Sequence, residues 1–408
     1  MEKIRFRKIA SDVGLNLISA IIPIAVLQVF ILPSLAQKLG SSGYGSVITL
    51  VSLIYVISLP LGNALNNTRL LQNSEYEDKL VVGDFNILLL ISIVVNSVFI
   101  LVGYLYYSTD GTWLDILLIV LIGSINIQRE YFIVAFRLKL DYLAILVNNI
   151  LLCLGYIGGW LLFSKIGYWQ FIYLIGALCS IIYIISQSSL HKEPYKLTRL
   201  FKYTSKKYSV LVITSFLSNV VTYADKLLLY PLLGPDSVSV YYSATLISKI
   251  ISMGVSPTSS VILSYLSKIK TFSKQNFYYL LIITSIVGAF GGLLCILISR
   301  PILTLLYPEW VEKSLQILNL VIASAIFTSF STVINPFVLK FCDINWQIFL
   351  GVINIIIYLG FSYIFYSAFG LKGFVFGILV SSIIQFLIKI VIYLKNSNSF
   401  AQESDKAN

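Results

Sequence analysis

The sequence is poor in charge and in the residues that most enzymes use for chemistry. Its 408 residues include 29 Lys and Arg, 18 Asp and Glu, and a single histidine, His191. Soluble domains carry about 25% charged residues, whereas this chain carries 12% and has a mean hydropathy of +0.88. A soluble globular protein is therefore excluded. One histidine leaves little material for a His-ligated metal or a Ser/His/Asp or Cys/His catalytic pair, so we expect no catalytic residue, no metal and no cofactor.

Two further signals of chemistry are missing from the sequence. The four cysteines are far apart in the sequence and form no CxxC pair. Each lies within or at the end of an apolar run, and they are Cys153, Cys179, Cys295 and Cys342. We interpret them as packing residues. No GxxxxGK[ST] motif occurs, so direct coupling to nucleotide hydrolysis is not expected.

Long apolar runs fill most of the chain, of which 58% is hydrophobic. A membrane-spanning helix needs about 20 apolar residues, and the sequence contains about a dozen such stretches. The predicted fold is therefore all-α, a polytopic membrane protein with twelve spans near residues 13–36, 46–66, 85–107, 114–136, 142–163, 168–188, 208–231, 238–263, 278–299, 314–337, 346–366 and 371–394.

The distribution of Lys and Arg predicts the orientation of these spans. With the N-terminus inside, 22 of the 29 basic residues fall on the cytoplasmic side, among them Lys389 near the end of the last span, and five fall outside. Short basic loops are retained in the cytoplasm, so both termini are predicted to be cytoplasmic. The positive charge then faces anionic lipid rather than nucleic acid. Arg69 and Arg300 are expected at interfaces, with lipid phosphate as partner.

The two halves of the sequence resemble each other. Leu39-Gly40 aligns with Leu233-Gly234 at an offset of 194, and Gly167 with Phe171 aligns with Gly370 and Phe374 at an offset of 203. Nearly equal offsets indicate a parallel 6+6 repeat, with two lobes and a substrate path between them. The predicted divisions are a first lobe at 1–190, a basic linker at 191–207, a second lobe at 208–395 and a disordered tail at 396–408.

Polar side chains recur with helical spacing in the seventh and eighth spans. Ionised groups in hydrocarbon cost several kcal/mol and mark cavities or partners. Lys249 lies near the middle of its span, too deep to reach the interface comfortably. The candidate cavity residues of these two spans are Asn219, Thr222, Lys226, Thr245, Lys249 and Ser252, and Asp225 is a candidate for ion coupling.

The fourth span adds an adjacent pair, Arg129 and Glu130. We assign Arg129 to the candidate cavity and Glu130 to ion coupling, while a simple ion pair near the interface remains an open alternative. For Lys226 the open alternative is a structural salt bridge, with Asp225 or with a carboxylate elsewhere. Lysines that face a path between two lobes favour an anionic substrate such as a phosphate or carboxylate.

Two stretches carry a resemblance to a known family. They are LNLISAIIPIAVLQVFILPSLAQKLGSSGYGSVITLVSLI, which covers the first span and its loop, and TYADKLLLYPLLGPDSVSVYYSATLISK, from the seventh span onward. Both are similar to the polysaccharide transporter family, the Wzx-type O-antigen or capsule repeat-unit flippases of the multidrug/oligosaccharidyl-lipid/polysaccharide exporter superfamily. The chain length, the number of spans and the division into two halves are also similar, so the resemblance covers essentially the whole chain.

The resemblance implies a flippase of the bacterial plasma membrane. It would move an undecaprenyl-diphosphate-linked oligosaccharide to the outer leaflet by alternating access, through a cationic cavity. Lys249, Lys226 and Arg129 match that cavity by their position in spans. A polysaccharide polymerase and a chain-length regulator are implied partners in polysaccharide and lipopolysaccharide biosynthesis.

Three other functions were weighed against this one. A membrane polymerase or ligase needs a long outer loop, whereas the longest here, at 300–313, is short and lacks histidine, so an enzyme is not expected. A cation-coupled multidrug or metabolite exporter of the same superfamily would use a buried carboxylate such as Asp225. A lipid II flippase is expected to have two more spans.

Overall fold

The computed structural model describes residues 14–15, 18–108, 111–266, 273–342 and 345–406. In these ranges all regular structure is helical, which confirms the predicted all-α class. A π-helix at Val26–Ile31 and 3₁₀-helices at Leu190–Lys192 and Pro308–Trp310 accompany the α-helices. These are α1 Leu32–Asp78, α2 Asp84–Tyr107, α3 Trp113–Phe132, α4 Val134–Leu138, α5 Tyr142–Ile166, α6 Gln170–Gln187, α7 Phe201–Leu266, α8 Lys274–Leu306, α9 Val311–Phe341 and α10 Asn345–Lys406.

Three of these helices are too long for one membrane crossing. Helix α1 has 47 residues, about 70 Å at 1.5 Å per residue, against a hydrocarbon core of about 30 Å. Each long helix is interrupted at one glycine with positive φ: Gly40 at 66°, Gly234 at 78° and Gly370 at 59°. Residues that carry a side chain rarely adopt a positive φ. Glycine therefore interrupts each helix at the boundary between two predicted spans.

The described residues contain nine stretches that are long and apolar enough to cross a membrane. The three longest, Ile18–Asp78, Phe201–Lys249 and Phe349–Lys395, are those that the glycines interrupt. The protein is therefore a multi-pass membrane protein. The count of twelve crossings and the orientation of the termini stay predictions.

The backbone supports the internal repeat. Five glycines with positive φ occur in the described ranges, and four of them are the two pairs that the repeat aligns, Gly40 with Gly234 and Gly167 with Gly370. The aligned positions thus share an unusual backbone conformation as well as a residue type.

The chain forms two compact units. The first covers Gly43–Leu232 and the described residues before Gly40, and the second covers Gly40–Ser42 and the described residues from Leu233 onward. The first part of α7 thus packs with the six preceding predicted spans. Its hydroxyls bond there: Tyr208 pairs with Ser92 at 2.6 Å and Thr204 pairs with Tyr76 at 2.7 Å. From the sequence, the position of the basic linker placed the span at 208–231 in the second lobe. These hydrogen bonds to the first unit are not visible in the sequence.

Helices α5 and α6 of the first unit approach closely through small residues. A Cβ added at Gly155 would lie 2.7 Å from the Gly176 Cα, and one at Gly159 would lie 2.4 Å from the Phe171 carbonyl oxygen. This GxxxG spacing lets two membrane helices pack backbone to backbone. Gly176 in turn leaves room for the ring of Tyr156.

The segment predicted as a basic linker is folded against the first unit. Arg69 of α1 donates to both carboxylate oxygens of Glu193, at 2.7 and 2.9 Å, with 7% and 12% of the two side chains exposed. Asp84 accepts the Thr198 backbone N–H at 2.7 Å, and the last residues of the predicted linker already belong to α7. Arg69, expected to meet lipid phosphate, is therefore paired with a carboxylate of its own chain.

An aromatic cluster joins α8, α9 and α10 in the second unit. The rings of Phe277 and Tyr393 lie 4.3 Å apart, and Phe337 lies 5.3 Å from Phe277. All three are buried. Beyond this cluster α10 continues to Lys406, over residues 396–406 where the sequence predicts a disordered tail. Nucleation is the costly step of helix formation, so a long preceding helix can extend into this polar segment.

Candidate binding site

The candidate residues fall in both compact units. Arg129, Glu130, Asp225 and Lys226 belong to the first, as do Asn219 and Thr222, whereas Thr245 and Lys249 belong to the second. The side chain of Ser252 lies outside the described residues.

Arg129 and Glu130 form an ion pair inside the membrane-spanning part of the chain. Arg129 donates from Nη2 to Glu130 Oε1 at 2.6 Å, and the side chains are 13% and 22% exposed. Helix α4 continues the path of this span to Leu138, nine residues beyond Arg129, which is about 13 Å at 1.5 Å per residue. The ion pair that the sequence left open for these two residues is present.

Helix α1 fixes the position of this ion pair. A Cβ at Gly62 would lie 2.6 Å from the Glu130 Cβ, so the two helices touch at that point. Four residues later, Asn66 donates from Nδ2 to the Glu130 carbonyl oxygen at 2.8 Å, and it accepts from Arg137 at 2.6 Å. A small residue for close approach and an amide for an interhelical bond are the usual means of joining membrane helices.

Asp225 and Lys226 form a second ion pair, on α7. Lys226 Nζ lies 2.7 Å from Asp225 Oδ1 and also donates to the Thr222 carbonyl oxygen at 2.9 Å. Both side chains are at most 10% exposed. The structural ion pair that the sequence left open for Lys226 is therefore present, and each deep cation of the first unit has a carboxylate beside it.

The polar stripe of α7 bonds largely to its own helix. Asn219 donates to the Ser215 carbonyl oxygen and Thr222 to the Ser218 carbonyl oxygen, each at 3.2 Å. Such bonds to the preceding turn satisfy the donors without a partner helix. Thr222 is nevertheless exposed, so its oxygen remains accessible as an acceptor.

Tyrosines connect the two ion pairs. Tyr55 of α1 lies 6.2 Å from Tyr223 and 6.4 Å from Tyr173, measured between ring centroids, and Tyr156 lies 6.0 Å from Tyr173. Tyr55 stands seven residues before Gly62 on α1, about 10 Å along the helix, and Gly62 touches Glu130, the partner of Arg129. The Lys226 ammonium lies 5.9 Å from the Tyr223 ring centroid. We call Tyr55, Tyr156, Tyr173 and Tyr223 the tyrosine cluster.

No pattern in the sequence predicted the tyrosine cluster. Tyrosine is abundant at both membrane interfaces, which makes the overall aromatic content uninformative. The usable signal was position, because Tyr55 stands at the middle of the predicted span 46–66, away from either interface.

In the second unit Lys249 contacts an aromatic ring and Lys389 a carbonyl oxygen. Lys249 is half-buried, with its ammonium 3.8 Å from the Tyr242 ring centroid, a cation–π contact. Beside it, Thr245 is buried and donates to the Tyr242 carbonyl oxygen at 2.7 Å. The half-buried Lys389 donates to the Ser331 carbonyl oxygen at 3.2 Å and makes no ion pair within the described part of the chain. The sequence predicted Lys389 to lie on the cytoplasmic side, because it stands close to the predicted end of its span.

Comparisons with known proteins reveal relatives by structure only. No protein-family model and no curated protein matches the sequence. Among solved structures, an inward-facing multidrug resistance MATE family transporter of the MOP superfamily matches 95% of this chain and 99% of its own length, with a TM-score of 0.68 and 14% identity. The lipid II flippase MurJ, in an inward closed conformation, matches 96% of this chain and 90% of its own, with a TM-score of 0.65 and 16% identity.

A MATE transporter of Vibrio cholerae also matches, over 96% of this chain and 98% of its own, with a TM-score of 0.57 and 13% identity. These neighbours are transporters and a flippase, and the likeness spans nearly the full length of each partner. The chain therefore has the same fold as these transporters and this flippase.

Proposed function

We propose that the protein is a flippase of undecaprenyl-diphosphate-linked oligosaccharide repeat units of the O-antigen or capsule type. It would move them from the inner to the outer leaflet of a bacterial plasma membrane by alternating access. The observation that carries the proposal is the surroundings of Arg129. This guanidinium lies within a helix that is long and apolar enough to span a membrane, and its buried Nε has no hydrogen-bond partner within the described residues.

A diphosphate fits this surplus of donors. A guanidinium presents five N–H donors in a planar fork that matches phosphate oxygens, and such charge-assisted bonds are about twice as strong as neutral ones. Glu130 occupies Nη2 and neutralises the charge in the absence of substrate. A diphosphate carries more charge than a carboxylate and therefore competes with Glu130 for Arg129.

Competition at Arg129 gives Glu130 a role in coupling. An ionised carboxylate that loses its partner inside the membrane is costly, and binding a proton or a sodium ion removes that cost. The Asp225–Lys226 pair offers the same exchange on α7. We propose that Glu130 and Asp225 are the coupling groups, and transport that is insensitive to both proton and sodium gradients would remove this part of the proposal.

A cation-coupled exporter of drugs or metabolites is the second candidate. It is favoured by the MATE neighbours and by the two ion pairs, because the deep cations of the first unit carry no excess charge once paired. A cationic substrate would then exchange with an ion at Asp225. Lys389 of the second unit, which makes no ion pair within the described residues, weighs against a cationic substrate.

Deleting the protein from its native cell separates the two candidates. A flippase deletion should leave completed lipid-linked repeat units on the inner leaflet and reduce surface polysaccharide. The sugar is scored by its accessibility in oriented vesicles. Unchanged surface polymer together with raised drug sensitivity would favour the exporter. A polymerase and a chain-length regulator are proposed partners, and their co-purification with the protein tests that part.

A further inference from the structure

Tyr55 and Tyr223 differ from the other members of the tyrosine cluster in accessibility. Both are half-buried, whereas Tyr156 and Tyr173 are 5% and 4% exposed. The rings of Tyr55 and Tyr223 are tilted by 50° with centroids 6.2 Å apart, so neither ring covers the face of the other. Part of each side chain therefore remains open to a ligand.

The buried members of the cluster pack against Tyr55. Tyr173 meets Tyr55 edge-on at 76° and Tyr156 at 68°, the arrangement that aromatic quadrupoles favour. The Tyr156 ring fills the space beside Gly176. The Tyr55 ring is thus held by packed aromatic side chains, which lowers the entropic cost of binding a ligand there.

Interfacial anchoring does not account for Tyr55. Tyrosines of membrane helices concentrate at the headgroup level, yet Tyr55 stands in the middle of the predicted span 46–66. Cations lie on both sides of the pair: Lys226 lies 5.9 Å from the Tyr223 centroid, and Tyr55 stands about two turns before Gly62, where α1 touches Glu130, the partner of Arg129. A ligand on these rings would have an anion-binding group beside it.

A sugar attached to a diphosphate has the matching chemistry. The apolar C–H face of a pyranose packs against the electron-rich face of an aromatic ring, while its hydroxyls bond to polar neighbours such as the tyrosine hydroxyls. We propose that Tyr55 and Tyr223 form a stacking subsite for the first sugar of the lipid-linked oligosaccharide, next to Arg129, which holds the diphosphate. This inference rests on the proposed function. It adds that the first unit binds the first sugar of the substrate.

Binding of two defined lipids to the purified full-length protein tests the subsite. The probes are undecaprenyl diphosphate and undecaprenyl diphosphate bearing one hexosamine. The wild-type protein should bind the glycosylated lipid about tenfold more tightly, the equivalent of one good aromatic contact. Tyr55→Leu and Tyr223→Leu should remove this preference and leave the affinity for the bare diphosphate unchanged.

Two controls separate stacking from folding. Tyr55→Phe keeps the ring and should keep most of the sugar preference, and Tyr279→Leu removes a tyrosine that is 56% exposed on α8 and should change neither affinity. If the leucine variants retain the preference, or weaken both lipids equally, the stacking subsite is wrong. If the wild-type protein binds neither lipid, the proposed function itself fails.

Discussion

Replacing Glu193 by alanine should destabilise the protein strongly, although Glu193 is not one of the candidate site residues. Arg69 would keep its bond to Asn73 at 3.2 Å and its position over the Phe85 ring at 4.7 Å, but it would lose two charge-assisted bonds while 7% exposed. Removing one partner of a buried pair costs about 3–5 kcal/mol. Because two contacts of the guanidinium remain, we expect the lower end, about 3 kcal/mol, or more than a hundredfold in the unfolding equilibrium.

The chain offers a matched control for this prediction. Arg300 and Glu312 form an ion pair of the same type at 2.9 Å, with side chains 70% and 74% exposed, so Glu312→Ala should cost at most about 1 kcal/mol. The assay is denaturant unfolding in detergent, followed by tryptophan fluorescence. The double change Arg69→Met with Glu193→Leu should recover most of the lost stability. Equal effects at Glu193 and Glu312 would refute the burial argument.

Three further predictions follow from the helix breaks and the candidate site. Gly234→Ala should cost about 1–3 kcal/mol because of its positive φ, whereas Gly158→Ala, at a position with open space and no positive φ, should be neutral or slightly stabilising; both are measured by thermal unfolding. Gly62→Ala should cost about 1–3 kcal/mol by overpacking and should reduce transport, because its Cβ would displace Glu130, which transport assays on the folded variant detect. Lys249→Ala should lower surface polysaccharide with normal membrane insertion, and Lys249→Arg should restore part of it; normal polymer in the alanine variant would contradict a role for this residue.

Local patterns in the sequence predicted the parts of the fold that depend on local chemistry. Apolar run length gave the positions of the spans, and the aligned glycines Gly40 and Gly234 mark interruptions that the structure contains. The adjacent pairs Arg129–Glu130 and Asp225–Lys226 were visible for the same reason, since neighbours in sequence are also neighbours in space.

Contacts between distant residues could not be predicted from one sequence. Arg69 finds its carboxylate 124 positions away in Glu193, and no local pattern distinguishes it from an arginine that binds lipid. The tyrosine cluster draws its members from four predicted spans, so it emerges only when those helices pack. Lys389 was not predicted as a site residue, because its short distance from the end of the span placed it on the cytoplasmic side. Its contact with Ser331 could not be seen in the sequence.

The most direct measurement is the transfer of a lipid-linked sugar across a vesicle membrane by the purified protein. Undecaprenyl-diphosphate-linked oligosaccharide is placed in one leaflet of liposomes, and its arrival in the other is followed with a membrane-impermeant glycosidase. We expect the wild-type protein to make the sugar accessible much faster than empty liposomes do, and Arg129→Met to transfer it at the rate of empty liposomes. Equal rates for wild-type and empty liposomes would contradict the flippase assignment.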